Sequence, residues 1–236
     1  MVDPKTPKRR PVAVSTGKSA IKTAKNAKKK FPKVKKGSVT CVPGDGGFGK
    51  WSDYENLYHG SSVKIMKPDV ERSNHGVGTD GRKKYKDYGK GFYTTSSKKQ
   101  ADRYVKISLS RCNNENGTCL RTGHISEYLF KVNDAKRDLK ILVFNGVSKE
   151  WLDFIADNHD LNFDHGYDVV IGPVADDKAH GIIDGYLQRR QANLHPDWRV
   201  TLKRLKPHLL KDQILFHTKE STDYLIYIKD VIVSVE

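Results

Sequence analysis

Seven short apolar runs, irregularly spaced, set the terms for any fold of this chain. They fall near 56–59, 91–95, 126–132, 139–144, 168–172, 213–217 and 225–234. Each is of strand length and bounded by polar or glycine-containing segments. Between them the apolar spacing turns helical. Ala101, Tyr104 and Val105 share one side of 97–107, and Trp151, Phe154 and Ile155 share a face of 149–157. Ala179, Ile182, Ile183, Tyr186 and Leu187 do the same over 176–190. Pro196 and Asp197 open a further helix carrying Trp198, Leu202 and Leu205. Strands and helices interleave too irregularly for a regular βαβ series, so the pattern predicts an α+β fold rather than a doubly wound sheet. No internal repeat, Walker-type loop or dinucleotide-binding glycine fingerprint is present.

The N-terminal stretch obeys different rules. Residues 1–36 hold 13 Lys and Arg against one acid, whereas the rest of the chain holds 30 against 27. The formal charge of +15 therefore belongs almost wholly to a tail. Few large apolar side chains precede Phe31. Such a segment buries too little surface to offset its ordering entropy, so residues 1–50 are expected to be a disordered basic tail and linker. Residues 51–236 are expected to form the folded domain. Lys28-Lys29-Lys30 and the lysines from Lys33 to Lys36 make a cationic patch suited to phosphate contact with nucleic acid, or to a solubilising arm. Pro43-Gly44-Asp45-Gly46-Gly47 reads as a loop before the fold begins.

Three cysteines do not suggest a disulfide-built secreted domain. No apolar stretch approaches membrane-spanning length and no signal-peptide region follows Met1, so the expectation is a cytoplasmic protein, in the producing or a target cell, without a membrane partner. Cys112, Cys119 and His124 match no common zinc spacing, and no metal is expected. His159, His165 and His208 have no motif context and read as surface residues or as residues behind those that touch a ligand.

Two runs carry chemistry. The first is Leu57-Tyr58-His59-Gly60-Ser61-Ser62; the second is Tyr88-Gly89-Lys90-Gly91-Phe92-Tyr93-Thr94-Thr95. Each sets polar or aromatic side chains beside small residues at a strand end. A residue without a side chain lets backbone N–H and C=O approach a planar amide closely. Tyr93 and Tyr104 lie eleven residues apart, and aromatic faces are a sensible device for a flat, electron-poor ring. Taken singly, each is also what an ordinary turn glycine or core aromatic looks like.

On these residues the chain resembles the ADP-ribosyltransferase superfamily, in its poly(ADP-ribose)-polymerase and diphtheria-toxin-like branch. The body, including Glu150-Trp151-Leu152-Asp153-Phe154 and Tyr167-Asp168-Val169-Val170-Ile171-Gly172-Pro173-Val174-Ala175-Asp176-Asp177, is similar to small uncharacterised bacterial members of that superfamily, some from toxin–antitoxin or phage-defence settings. The resemblance implies a split β-sheet core with flanking helices and NAD as the ADP-ribose donor. It implies His59, Tyr93 and Gln213 as the catalytic set, and His59, Gly60, Ser61, Tyr93, Thr94 and Tyr104 around NAD. His59 would bond the adenosine ribose and the Gly60 backbone the nicotinamide carboxamide.

Two departures matter. Where the superfamily opens a late strand with Glu, this chain has Gln213, which bonds a hydroxyl but carries no charge. Where the polymerase branch has a carboxamide-binding Ser, it has Ala101. A positively charged transition state gains most from a fixed negative charge, so chain extension is not expected. What the resemblance then implies is an NAD-dependent mono-ADP-ribosyltransferase, with a toxin or phage-defence effector among its settings, acting on a protein or nucleic-acid acceptor. The rival is a weak or inactive NAD-binding module anchored to nucleic acid by residues 1–36. A 2′-phosphotransferase ranks below both, since that group uses basic residues where this chain has aromatics. Asp212, on a strand, is expected to face away from Gln213. Asp176, Asp177 and Glu220 are other acids in reach of the sequence argument, the first two equally explained by a helix dipole.

Overall fold

The computed structural model describes residues 34–46, 49–68, 86–117, 119–159, 164–175, 179–205 and 212–234. The basic stretch through residue 33, Asp176, Asp177 and His208 lie outside these. The protein is α+β. Its strands are β1 (Ser38–Val42), β2 (Asp45–Gly46), β3 (Asn56–Ser61), β4 (Phe92–Thr94), β5 (Thr122–Phe130), β6 (Lys140–Phe144), β7 (Gly146–Val147), β8 (Val169–Pro173), β9 (Asp212–Phe216) and β10 (Leu225–Ser234). Its helices are α1 (Lys98–Asn116), α2 (Val132–Asp138), α3 (Lys149–Asn158), α4 (Ala179–Gln191), α5 (Trp198–Leu205) and α6 (Lys219–Thr222).

Two sheets organise the core. One has five strands in the order β1-β6-β8-β9-β4; the other has three, β10-β5-β3. The first is mixed: β1, β6 and β8 run parallel, and β9 and β4 add antiparallel. The second is antiparallel throughout. A short pair, β2 with β7, stands apart.

The period-two alternation of β6, β8 and β9 builds two cores at once. Ile141, Val143, Val169, Ile171, Ile214 and Phe216 face the three-stranded sheet and meet Tyr128, Phe130 and Leu57 from it. Leu142, Phe144, Val170 and Leu215 face the other way, onto Trp151, Leu152 and Ile155 of α3 and Ile183 and Tyr186 of α4. Both faces of the central strands are covered, which is why their sequences read as continuous apolar runs. A third, smaller cluster joins α1 to the back of the three-stranded sheet through Ala101, Val105 and Leu109 against Ile125. Those helical residues are four apart, one stripe of α1.

Seven strands expected from the sequence are present. The expectation that the chain is tail and linker to residue 50 is corrected at its end: β1 pairs in parallel with β6, and Asp45 and Gly46 pair with Val147 and Gly146 where a loop was expected. Ser38-Val39-Thr40-Cys41-Val42 is rich in β-branched residues, but as an edge strand it is only half-buried and carries no large apolar residue. The neighbouring lysines masked that weak signal. The short helix α2 was also unforeseen, because the apolar run before it extends to its first residue.

Candidate functional site

The two sheets touch where β3 passes the end of β4. Tyr58 and Thr95 exchange both backbone hydrogen bonds, at 2.9 and 3.0 Å. Antiparallel pairing alternates the direction of peptide groups along a strand. Tyr58 turns its own toward Thr95, His59 pairs with Ser126 of β5, and Gly60 turns its N–H and C=O back to the Thr95 side. The Gly60 peptide groups thus lie on the edge beside β4, one step beyond the splice.

Gly60 also answers a packing demand. A Cβ there would collide with the Ala101 carbonyl oxygen and crowd the Val105 nitrogen. The backbone of α1 crosses β3 at this point, and only glycine permits the approach. Ala101 is wholly buried at the same crossing. Both small residues have a structural reason independent of any ligand.

His59 joins the two runs. Its Nδ1 lies 2.6 Å from the Tyr93 carbonyl oxygen. A carbonyl only accepts, so Nδ1 carries the proton and Nε2 of the neutral ring keeps an acceptor lone pair. Burial is the main reason the imidazole falls to about 4, with the Lys86 charge adding to it and the bond to Tyr93 opposing. The ring lies 4.6 Å from that of Phe92.

Tyr93 is half-buried and held at both ends. Its hydroxyl donates to the Gly89 carbonyl at 2.6 Å and accepts the Tyr88 backbone N–H at 3.2 Å. Gly89 itself has φ +90, a left-handed turn that side chains resist. The Lys86 ammonium lies 4.8 Å from the centre of the Tyr93 ring. One face of the ring therefore carries a cation, and a flat ligand must use the other face or displace it. Burial pushes the Tyr93 phenol well up, and the Asp87 charge pushes it further; Tyr104 adds a smaller push. Tyr104 stands on α1, 37% exposed.

Gln213, at the start of β9, is buried at 5% exposure and faces an acid that the sequence argument did not consider. Its Nε2 donates to Asp87 Oδ2 at 2.7 Å. The same oxygen accepts the Ala175 backbone N–H at 2.8 Å, and Asp87 is itself 5% exposed. Tyr88 completes the group. It donates to the Pro173 carbonyl at 2.7 Å and accepts from the Trp151 indole at 3.1 Å. Burial drives the Tyr88 phenol far above its ordinary value, Asp87 adds to this, and Trp151 and Gln213 pull the other way, as donors to a phenol oxygen do. The sequence signal was present, an acid directly before the Tyr88-Gly89 turn, but an Asp among lysines reads as surface until its burial is known.

Not every expected residue comes to this place. Thr94 alternates away from Tyr93 on β4, is buried, and makes a long 3.5 Å contact to the Ile214 carbonyl. Ser61 is buried and accepts the Val63 N–H. Asp212 does turn away from Gln213: its carboxylate takes the Ser96 hydroxyl at 2.6 Å and the Thr95 hydroxyl at 3.3 Å, tying β9 to the two residues before the cap of α1. Glu220 is exposed on α6. His159 and His165, expected at the surface or behind the residues that touch a ligand, are buried at 4% and 2% exposure. His159 pairs with Asp184 at 2.8 Å. His165 contacts the Tyr88 carbonyl through Nε2 and accepts the Tyr167 N–H at Nδ1, so it is neutral, and burial takes it to about 3. His124 pairs with Asp230 at 2.6 Å. Among the described residues, no group of three or more His, Cys, Asp or Glu is placed to hold a metal, and no helix is long and apolar enough to cross a membrane.

The span from β3 into β10, residues 56–227, matches the family described as "Protein of unknown function (DUF3990)". That span is well over half of the chain. The chain belongs to this family. His59, Gly60, Asp87, Tyr93, Tyr104 and Gln213 all fall within the match; β1 and the basic stretch precede it. No curated protein and no solved structure matches the chain.

Proposed function

We propose that this domain is an NAD-dependent mono-ADP-ribosyltransferase. The observation that carries the reading is the 2.6 Å bond from His59 to the Tyr93 carbonyl. It joins the two sequence runs at one place, with the Gly60 peptide groups turned to the same edge. In this reading the Gly60 N–H and C=O pair with the nicotinamide carboxamide, and the ring lies against the face of Tyr93 opposite Lys86. His59 Nε2 accepts a hydroxyl of the adenosine ribose, which requires the neutral imidazole that burial enforces. Gln213 bonds the nicotinamide ribose. The nicotinamide–ribose bond breaks, nicotinamide leaves with the electron pair, and an acceptor nucleophile bonds the ribose carbon and releases its proton to water.

A stretch with 13 Lys and Arg before residue 37 would concentrate the enzyme on an anionic target, which favours a nucleic acid or a nucleic-acid complex as acceptor. Incubation with NAD labelled in its adenylate, together with cell extract, tests the reading. The expected result is free nicotinamide and a labelled macromolecule. Neither product, from the native chain or from Gln213→Glu, overturns it. The rival, an inactive NAD-binding module, draws on the Lys86 ammonium over Tyr93. It predicts NAD binding without nicotinamide release.

A further inference from the structure

Gln213 is the residue at which the proposed chemistry is weakest. Cleaving a nicotinamide–ribose bond builds positive charge on the ribose, and a neutral amide offers it little. The acids close in sequence do not supply the deficit. Asp212 is committed to Ser96 and Thr95. Glu220 is exposed on a four-residue helix.

Asp87 differs on each count. It is buried at 5% exposure, and its Oδ2 lies 2.7 Å from Gln213 Nε2. An ionised carboxylate accepts and never donates, so the amide edge toward Asp87 is the NH2 group. The carbonyl Oε1 of Gln213 is thereby turned away from Asp87. The Ala175 N–H on the same carboxylate oxygen fixes it from the backbone side. A hydrogen bond to a carboxylate in a dry setting polarises the amide and loads negative charge onto Oε1. In the proposed site the pair would offer a ribose hydroxyl the Oε1 acceptor, with the Asp87 carboxylate behind the amide.

We propose that Asp87 is the positioning residue of this site: it orients Gln213 and lends it the negative charge that a glutamate would carry directly. The inference rests on the ADP-ribosyltransferase reading and names the acid that reading lacks. It also assigns the Lys-Asp-Tyr-Gly turn a catalytic purpose beyond shape, since Asp87 bears on both Tyr88 and Tyr93.

A charge swap tests it. Nicotinamide release is measured across NAD concentrations for the full-length native chain, Asp87→Asn, and the double variant Asp87→Asn/Gln213→Glu, with melting temperature and NAD binding measured on each. Asp87→Asn is expected to lower kcat about 100-fold, the scale of losing one preorganised electrostatic contact, while KM stays within about threefold. The double variant restores one carboxylate and one amide with their places exchanged, and is expected to recover most of the lost kcat. A purely structural role would instead lower the melting temperature or the NAD binding of Asp87→Asn together with its kcat. Full activity in Asp87→Asn overturns the inference while leaving the function standing. So does a double variant that binds NAD yet stays as slow as the single one. If Asp87→Asn does not fold, the double variant decides, since it retains the pair; an unfolded or inactive double variant overturns the inference. No nicotinamide from the native chain or from Gln213→Glu removes the function itself, and the inference with it.

Discussion

The two faces of the five-stranded sheet are built from the same strands and do different work. The face toward the three-stranded sheet is apolar along its length, with Ile141, Val143, Val169, Ile171, Ile214 and Phe216 interlocked with Phe130 and Tyr128. The face toward the helices starts in the same way but ends in a polar seam of Asp87, Tyr88, Tyr93, Trp151 and Gln213. Buried carboxylates, amides and phenols are costly to desolvate and contribute little net stability even when fully bonded. An apolar seam would have held the sheet to its helices as well. The contrast separates a face held by apolar packing alone from a face that retains buried polar groups.

Cutting into the apolar face should have the largest effect. Phe216 is fully buried, with its ring 5.1 Å from that of Phe130. Phe216→Ala is expected to cost about 3–5 kcal/mol in urea denaturation, as core phenylalanine truncations do. Acid is the next way to separate the faces. His59 and His165 are held neutral by burial, at about 4 and about 3, against an ordinary 6.5. The unfolded chain binds their protons first, so the stability they contribute is complete above pH 6.5 and is lost as pH falls through those values. Near pH 5 these two groups together should give a slope of about 2 kcal/mol per pH unit, stability rising with pH, readable from denaturation at stepped pH.

Gly60→Ala should cost about 1–3 kcal/mol by forcing the Ala101 carbonyl and α1 off β3, with loss of nicotinamide release as the accompanying readout. Tyr88→Phe sharpens the comparison at a smaller scale. It leaves the Trp151 indole with its 3.3 Å contact to the Pro173 carbonyl, so the expected cost is about 1 kcal/mol, with a larger effect on turnover than on stability. At the surface, Lys98→Ala breaks a 2.7 Å pair with Glu127 and should change stability by about 0.5 kcal/mol or less, fading with added salt.

Local pattern made much of this architecture legible. The runs at 139–144, 168–172 and 213–217 became β6, β8 and β9 because a strand buried on both faces has an unmistakable apolar signature. The helix after Ser97 was legible from spacing, and Ser97 caps it by accepting the Gln100 N–H. β1 was not, because an edge strand needs few large apolar residues and this one adjoins a lysine-rich stretch. Of the candidate site, His59, Gly60 and Tyr93 follow from residue type and order, and Gln213 from the superfamily resemblance alone. Thr94 faces away from Tyr93, because adjacent residues on a strand point to opposite faces.

The sequence by itself determined the elements, the α+β class and the residues able to handle a planar polar ligand, because periodicity and glycine placement are local properties. Tertiary structure alone decided what those residues do together. It brought His59 to the Tyr93 carbonyl across 34 positions and Gln213 to Asp87 across 126. It also turned an acid in a lysine-rich turn into a buried one. Hydrogen bonding and desolvation act between groups that the chain keeps far apart, and only the packed sheets place them within reach.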